Sequence, residues 1–335
     1  MAVRWQKKHP PKRILAIRLQ AMGDMVITLP YLQHLRNSLP PGTVIDFLTR
    51  KEVDEIPRSL QLFDHVYSIG GERNFKKQLL YTGTMLPKLL LRRYDVVIDL
   101  QNNPISNLVR KTIRPKAWCA FDKYSPIAAG ERNRLTIESV GLGANGIDSN
   151  FILKDKNMAA AILRQQGWQG NRLVVLNPAG AFESRNWPEQ NYIAFVQLWL
   201  QQYPDTQFLV LGVDRVAAKA KSFKETLGDR LIDLTNQTTA AQAFAIIQEA
   251  DFMLSEDSGL MHMGWVSGVP TLALFGSTRS DWARPLGPHT AFFDSSDLPC
   301  GNCMQEVCQY GDTHCLTRYS PQMVFEQAVQ LYQKF

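Results

Sequence analysis

The chain has 335 residues, 45% of them hydrophobic and 20% charged. That composition excludes a disordered chain and suits two domains of roughly 100–200 residues. The net charge of +6 is uneven, with +10 on residues 1–155 and −4 on residues 156–335, so one half is expected to face an anionic partner such as nucleic acid, a lipid surface or a phosphorylated substrate. No apolar run of about 18 residues occurs, so no transmembrane helix is expected. The basic start over 1–13 lacks a small-residue cleavage site, so a cytoplasmic protein is expected.

Short β-rich runs alternate with helical stretches along the whole chain. A strand over 14–19 ends at Gln20-Ala21-Met22-Gly23-Asp24, and a helix follows from about 24 to 39, stopped by Pro40-Pro41-Gly42. Strands are predicted over 44–48, 66–69 and 96–100, with a helix over 105–112. Residues 76–93 are both apolar and basic, which suits an anionic amphiphile or a membrane surface. A core-packing helix with basic ends is the competing reading, and Pro87 predicts a break. Asn145 to Asn150 is rich in Gly and Asn and marks a domain boundary, with 151–153 as a linker strand. The pattern then restarts. Helices are predicted over 158–166, 188–202, 239–249 (with Thr238 as N-cap) and 323–332. Strands are predicted over 173–176, 208–211, 252–254 and 271–275. Alternation of this kind implies parallel sheets built from crossover units, with ligands beyond the carboxyl ends of the strands.

Neither Gly-x4-Gly-Lys-[Ser/Thr] nor Gly-x-Gly-x-x-Gly follows the first strand, which disfavours a P-loop NTPase and an NAD-dependent dehydrogenase. Asp24 is a candidate N-cap, and at the carboxyl end of the first strand it is also placed to accept a proton. Ser255-Glu256-Asp257-Ser258-Gly259-Leu260-Met261-His262 joins a strand to a helix. The start of that helix offers backbone N–H groups and a positive dipole end to a pyrophosphate, and Ser258 adds a hydroxyl. Asp257 is read as meeting a ligand or orienting the loop. His262 reads on its own as a core histidine. Cys300, Cys303, Cys308 and Cys315 fall within sixteen residues. Four thiolates can close a structural zinc or iron site, with free thiols in a surface loop as the alternative. Cys119 reads as a buried small hydrophobe.

Several stretches together resemble the bacterial heptosyltransferases of glycosyltransferase family 9. They are Ile14–Pro30 with its Met-Gly-Asp-x4-Leu-Pro, Tyr94–Gln101 (YDVVIDLQ), Asn177–Pro188 (NPAGAFESRNWP) and Glu256–Gly276 (EDSGLMHMGWVSGVPTLALFG). The resemblance spans essentially the whole chain. It implies an α/β protein of GT-B architecture, two Rossmann-like doubly wound domains facing a central cleft. On that reading residues 1–150 bind the acceptor and 151–320 bind a nucleotide-sugar donor, typically ADP-heptose. Residues 321–335 form a terminal helix expected to return to the first domain.

Asp24 takes the place of the family's proposed catalytic base. Asp257, Ser258, Gly259 and His262 match its Asp-[Ser/Thr]-Gly-x-x-His donor motif. Arg185 stands where many members carry a phosphate-neutralising Lys. The implied reaction is inverting transfer to the phosphorylated inner core of lipopolysaccharide. The cysteine-rich segment resembles that of branches that heptosylate autotransporter proteins, which leaves a protein acceptor open. Another nucleotide-sugar donor and a non-catalytic nucleotide-sugar-binding module are the remaining alternatives. No Asp-x-Asp sequence is present to hold a divalent ion, so catalysis without a metal cofactor is expected. An anionic glycolipid acceptor and peripheral contact with the inner membrane fit the basic half. With no recognised nucleic-acid motif, nucleic acid is not expected as a partner.

Overall fold

The computed structural model describes residues 2–143 and 146–335. They fall into two compact units that divide between Lys156 and Asn157, slightly later than the expected division at 150/151. Asn145, the start of the predicted linker, lies outside the described residues. Leu153, in the predicted linker strand, makes only an isolated antiparallel bridge to Leu60.

The first unit holds a six-stranded sheet: β1 (Ala2–Val3), β2 (Arg13–Ile17), β3 (Val44–Arg50), β4 (His65–Ile69), β5 (Val96–Asp99) and β6 (Ala117–Ala120). Its order is β1-β6-β5-β2-β3-β4, parallel throughout except for β1 against β6. The second unit repeats the design with β7 (Leu173–Asn177), β8 (Gln207–Val210), β9 (Leu231–Asp233), β10 (Phe252–Glu256), β11 (Thr271–Leu274) and β12 (Thr290–Phe293), in the order β12-β11-β10-β7-β8-β9. The central strands are apolar runs buried on both faces, as covered parallel sheets require; Ile14–Ile17, Val96–Ile98 and Leu173–Leu176 are fully buried. In each unit the order reverses beside one strand pair, β5/β2 and β10/β7. Those switch points are where a doubly wound sheet leaves a crevice for ligands.

Several local expectations change. The helix over Phe75–Leu91 runs unbroken through Pro87. The residue four positions back, whose carbonyl loses its partner and meets the proline ring, is Gly83. Gly83 and Pro87 are both exposed, so water can serve that carbonyl. The helix Ala240–Ile247 is capped by Thr239 rather than Thr238, because Thr239 and Gln242 form a reciprocal capping box.

The terminal helix Pro321–Tyr332 was expected to return to the first domain but belongs to the second unit. Its stripe of Val324, Ala328 and Leu331 joins a core with Phe195, Trp199 and Phe252. Tyr332 packs on Trp199 at 5.5 Å between ring centroids. Burying that stripe inside its own unit removes the apolar face that would have sought another surface. No described helix is long and apolar enough to cross a membrane.

Candidate functional site

In the first unit a cavity of about 990 Å³ opens beyond the carboxyl ends of β2, β3 and β5, lined among others by Asp24, Arg50, Glu72, Arg73, Gln101 and Asn103. Asp24 sits in the first turn of the helix Met22–Ser38. It is not the N-cap, but it accepts the Ala21 N–H at 3.2 Å. Its side chain is 43% exposed, whereas its partner Arg18, 2.9 Å away, is 6% exposed. Arg18 also donates to the Leu100 carbonyl and lies over the Phe121 ring at 5.1 Å. A buried cation thus holds one carboxylate oxygen at the mouth of the cavity while the carboxylate stays open to solvent.

The stretch YDVVIDLQ explains how that loop is fixed. Gln101 Oε1 accepts the N–H groups of Leu19 and Gln20 at 2.8 and 3.0 Å. Asp99, buried at the end of β5, accepts those of Gln101 and Asn102 at 3.1 and 2.7 Å. Burial pushes the Asp99 carboxyl above its ordinary range, opposed by these N–H donors and by Arg110. Asp99 and Gln101 were not singled out as individual residues. Their signal was an acidic residue ending an apolar strand.

In the second unit β10 ends at Glu256, and the strand-to-helix turn after it carries Asp257 and Ser258 into the helix Gly259–Val266. Ser258 has extended backbone and makes no side-chain cap bond, and the first helical turn holds no acidic residue. Its N-terminal N–H groups and dipole are therefore left to an anion. Ser258 Oγ accepts a hydrogen bond from Asn177 Nδ2 at 2.7 Å, which also donates to Ser255 at 2.7 Å. The Ser258 hydroxyl proton stays available for a ligand.

Arg185 reaches this turn from the short 3₁₀ segment Glu183–Arg185. Its guanidinium lies 3.5 Å from the Asp257 carboxylate and over the Phe182 ring at 4.5 Å. Its Nε is buried without a hydrogen-bond partner among the described residues. The fold therefore brings Arg185, Asp257, Ser258 and Gly259 to one place. His262 lies a turn further on, buried, with Nδ1 accepting the Trp265 indole N–H at 3.0 Å. That bond assigns the ring proton of the neutral form to Nε2.

Glu256 is the residue that sequence reasoning missed here. Fully buried, it accepts the Gly180 and Trp187 N–H groups, both at 2.7 Å, and faces Lys219 at 4.0 Å. These contacts pin both ends of the loop that presents Arg185. Burial pushes its carboxyl up to about 7, with Lys219 and the two N–H donors pulling the other way. Two glycines make room for the same loop. A Cβ on Gly180 would fall 2.5 Å from the Arg185 carbonyl oxygen, and one on Gly276 would fall 2.1 Å from that of Ser184.

Cys300, Cys303, Cys308 and Cys315 line a single cavity of about 270 Å³ together with Ser184 and Ser277. All four are free thiols. Among the described residues no three His, Cys, Asp or Glu side chains gather into a set able to hold an ion. The predicted ion-binding cysteines thus share one cavity without forming such a set among the described residues. Their loop has another visible use. It braces the Arg185 turn through Ser184, whose N–H donates to the Glu306 carbonyl at 3.3 Å and whose Oγ donates to the Gln305 carbonyl at 2.5 Å.

Comparison with known proteins bears on the family and the fold. Residues 122–314 match the model of "Glycosyltransferase family 9 (heptosyltransferase)". The chain is 29% identical over 320 residues to lipooligosaccharide heptosyltransferase 2 of Campylobacter jejuni, covering 92% of this chain and 95% of that one. In structure it resembles the Escherichia coli ADP-heptose lps heptosyltransferase II (TM-score 0.74, 16% identity, 96% of this chain and 99% of that one). It also resembles the E. coli heptosyltransferase WaaC solved with ADP-2-deoxy-2-fluoro heptose (TM-score 0.66, 17% identity, 95% and 99%). These likenesses identify the two doubly wound sheets as those of the GT-B fold. With more than half of its length matched by the family model and a basic-and-acidic pair set before a helix start, the chain belongs to glycosyltransferase family 9, the heptosyltransferases.

Proposed function

We propose that the protein is an inverting glycosyltransferase that moves a heptose from ADP-heptose to a phosphorylated sugar of the lipopolysaccharide core, at the cytoplasmic face of the inner membrane. One observation carries the reading. A solvent-open carboxylate held by a buried arginine lines a roomy cavity in the basic unit, while a separate anion cradle stands in the other. Asp24 takes the proton of an acceptor hydroxyl as its oxygen attacks the anomeric carbon. The bond from that carbon to the diphosphate oxygen breaks, and ADP departs from the opposite face. The transition state is oxocarbenium-like, as in glycoside hydrolysis. Negative charge gathering on the diphosphate is met by Arg185, by the N–H groups at the start of the helix Gly259–Val266 and by the Ser258 hydroxyl, with no divalent ion needed. Asp257 orients Arg185. The cavity beside Asp24 takes the acceptor, and a phosphorylated acceptor matches the positive charge of this unit.

The roles separate by experiment. Asp24→Asn is expected to lower turnover about 10²–10⁴-fold, the usual worth of a general base, with donor affinity nearly intact. Asp257→Ala and Arg185→Ala are expected to weaken donor binding. Calorimetry with an intact donor analogue and mass-spectrometric product analysis with ADP-heptose, UDP-sugars and GDP-sugars read both. Transfer from a UDP- or GDP-sugar alone would replace the donor, and transfer to an autotransporter protein but not to lipopolysaccharide core would replace the acceptor. Loss of donor affinity in Asp24→Asn equal to that in Asp257→Ala would overturn the assignment.

A further inference from the structure

The helix Phe75–Leu91 buries only Thr82 and Leu89 fully. Its outward side carries Leu80, Pro87 and Leu91, which share a face by their spacing of seven and four residues. Leu80 is 68% exposed and Leu91 83%, with Phe75, Leu79, Tyr81 and Leu90 also exposed. Isolated exposed leucines need no explanation, but a continuous apolar stripe on one helix does. Lys76, Lys77 and Lys88 are exposed beside the stripe, and between Arg73 and Arg93 the sequence holds six Lys and Arg and no Asp or Glu. The inner side packs on the core through Leu89, Met85 and Leu86, as the core-packing reading expects, while the outer side is a surface mixing apolar and purely cationic groups.

We propose that this face docks on an anionic lipid bilayer. The charge pattern selects the occupant. Cations along an apolar stripe with no carboxylate among them match a helix lying in a membrane interface, leucines among the acyl chains and lysines at the headgroups. A protein partner would need an equally one-signed acidic groove. Position gives the docking a purpose. Arg73, Phe75 and Gln78, at the start of this segment, line the same cavity as Asp24. A bilayer against the outer face thus brings headgroup-level sugars to the mouth of that cavity. This purpose rests on the acceptor reading above, but the docking itself does not.

The test uses the full chain without donor or acceptor, sedimented with vesicles of phosphatidylethanolamine, phosphatidylglycerol and cardiolipin, or of phosphatidylcholine alone. Binding to the anionic vesicles, weakened by 0.5 M salt (a Debye length of roughly 4 Å), is expected, with little binding to the neutral ones. The triple variant Lys76→Glu, Lys77→Glu, Lys88→Glu and the double variant Leu80→Ser, Leu91→Ser are each expected to lower binding about tenfold or more. Transfer to a delipidated, soluble acceptor is expected to stay at the wild-type rate, which also shows that the variants fold. Equal binding to both vesicle types, variants that bind like wild type, or a dimer in light scattering that the leucine variant dissolves would each overturn the proposal. If docking holds while all transfer activity is absent, the proposed function fails and this inference stands.

Discussion

Removing the Glu256 side chain strands two backbone donors at once. In Glu256→Ala the N–H groups of Gly180 and Trp187, each 2.7 Å from a carboxylate oxygen, lose their buried acceptor. An unmet buried donor costs about 1–3 kcal/mol, so the pair costs about 2–6 kcal/mol before any cavity is counted. Lys219 loses its counter-charge but keeps the Pro178 carbonyl at 3.0 Å and Asn186 Oδ1 at 2.5 Å, so it adds little. Urea unfolding followed by tryptophan fluorescence reads the second unit, where Trp187, Trp199 and Trp265 are buried. Because Gly180 and Trp187 bracket Arg185, donor affinity is expected to fall about tenfold or more, roughly 1.4 kcal/mol.

The pH dependence follows from the raised carboxyl. Glu256 titrates near 7 in the folded protein against 4.5 as its ordinary value. The native state therefore holds the proton more tightly than the unfolded chain. The stability this group contributes is present in full below about pH 4.5 and is lost as pH rises through 7. Glu256→Gln keeps the volume and one acceptor and is neutral at every pH. Its deficit relative to wild type is expected to shrink as pH rises from about 4.5 to 7. An alanine variant within about 1 kcal/mol of wild type, or donor affinity changed less than twofold, would refute the view that Glu256 holds the Arg185 turn.

Two further outcomes follow from the same unit. Arg185→Lys keeps a positive charge but loses the planar fork over Phe182, so donor affinity by calorimetry is expected to fall about three- to tenfold, less than in Arg185→Ala. With Ellman's reagent the exposed Cys303 is expected to react fastest and Cys300 and Cys308 next. Cys315, pushed up by burial and neighbouring thiols, is expected to lag, and Cys119, pushed up to about 12, to react only after unfolding. Joint protection of the four clustered thiols until a chelator is added, with stoichiometric zinc or iron by elemental analysis, would show that they close on an ion after all.

The sheets were legible because parallel strands covered on both faces must be apolar through their centres, and 14–17, 96–98, 173–176 and 252–254 are. Several of the elements that went unread have a pattern that is weak over a short span. β6 reads Ala-Trp-Cys-Ala, β9 has three residues, and the helix Ala129–Ser139 carries charges on much of its surface. The break assumed at Pro87 failed because the carbonyl that proline deprives of a partner, that of Gly83, lies on an exposed face where water can serve it. The terminal helix was misplaced because an apolar stripe shows that a helix packs, not what it packs on.

The candidate site was legible where a residue proposed to meet ligand sits in a short motif, and illegible where the work is indirect. Asp257 and Ser258 advertise themselves by position after β10. Glu256, one residue earlier, looks like the polar end of a strand, yet its contacts reach 69 and 76 residues back in the chain. Gly180 and Gly276 carry no chemistry, yet each admits a backbone carbonyl that any Cβ would exclude. The Arg for Lys exchange at 185 gains sense only from these neighbours. The ion pair with Asp257 is long, and the buried Nε has no partner. The ring beneath the guanidinium fixes its plane, which leaves a fork of donors aimed rather than spent. A lysine there would carry the same charge without that plane, and the turn, braced by Glu256 behind and the cysteine-rich loop beside it, would be holding a point charge that needs no such bracing.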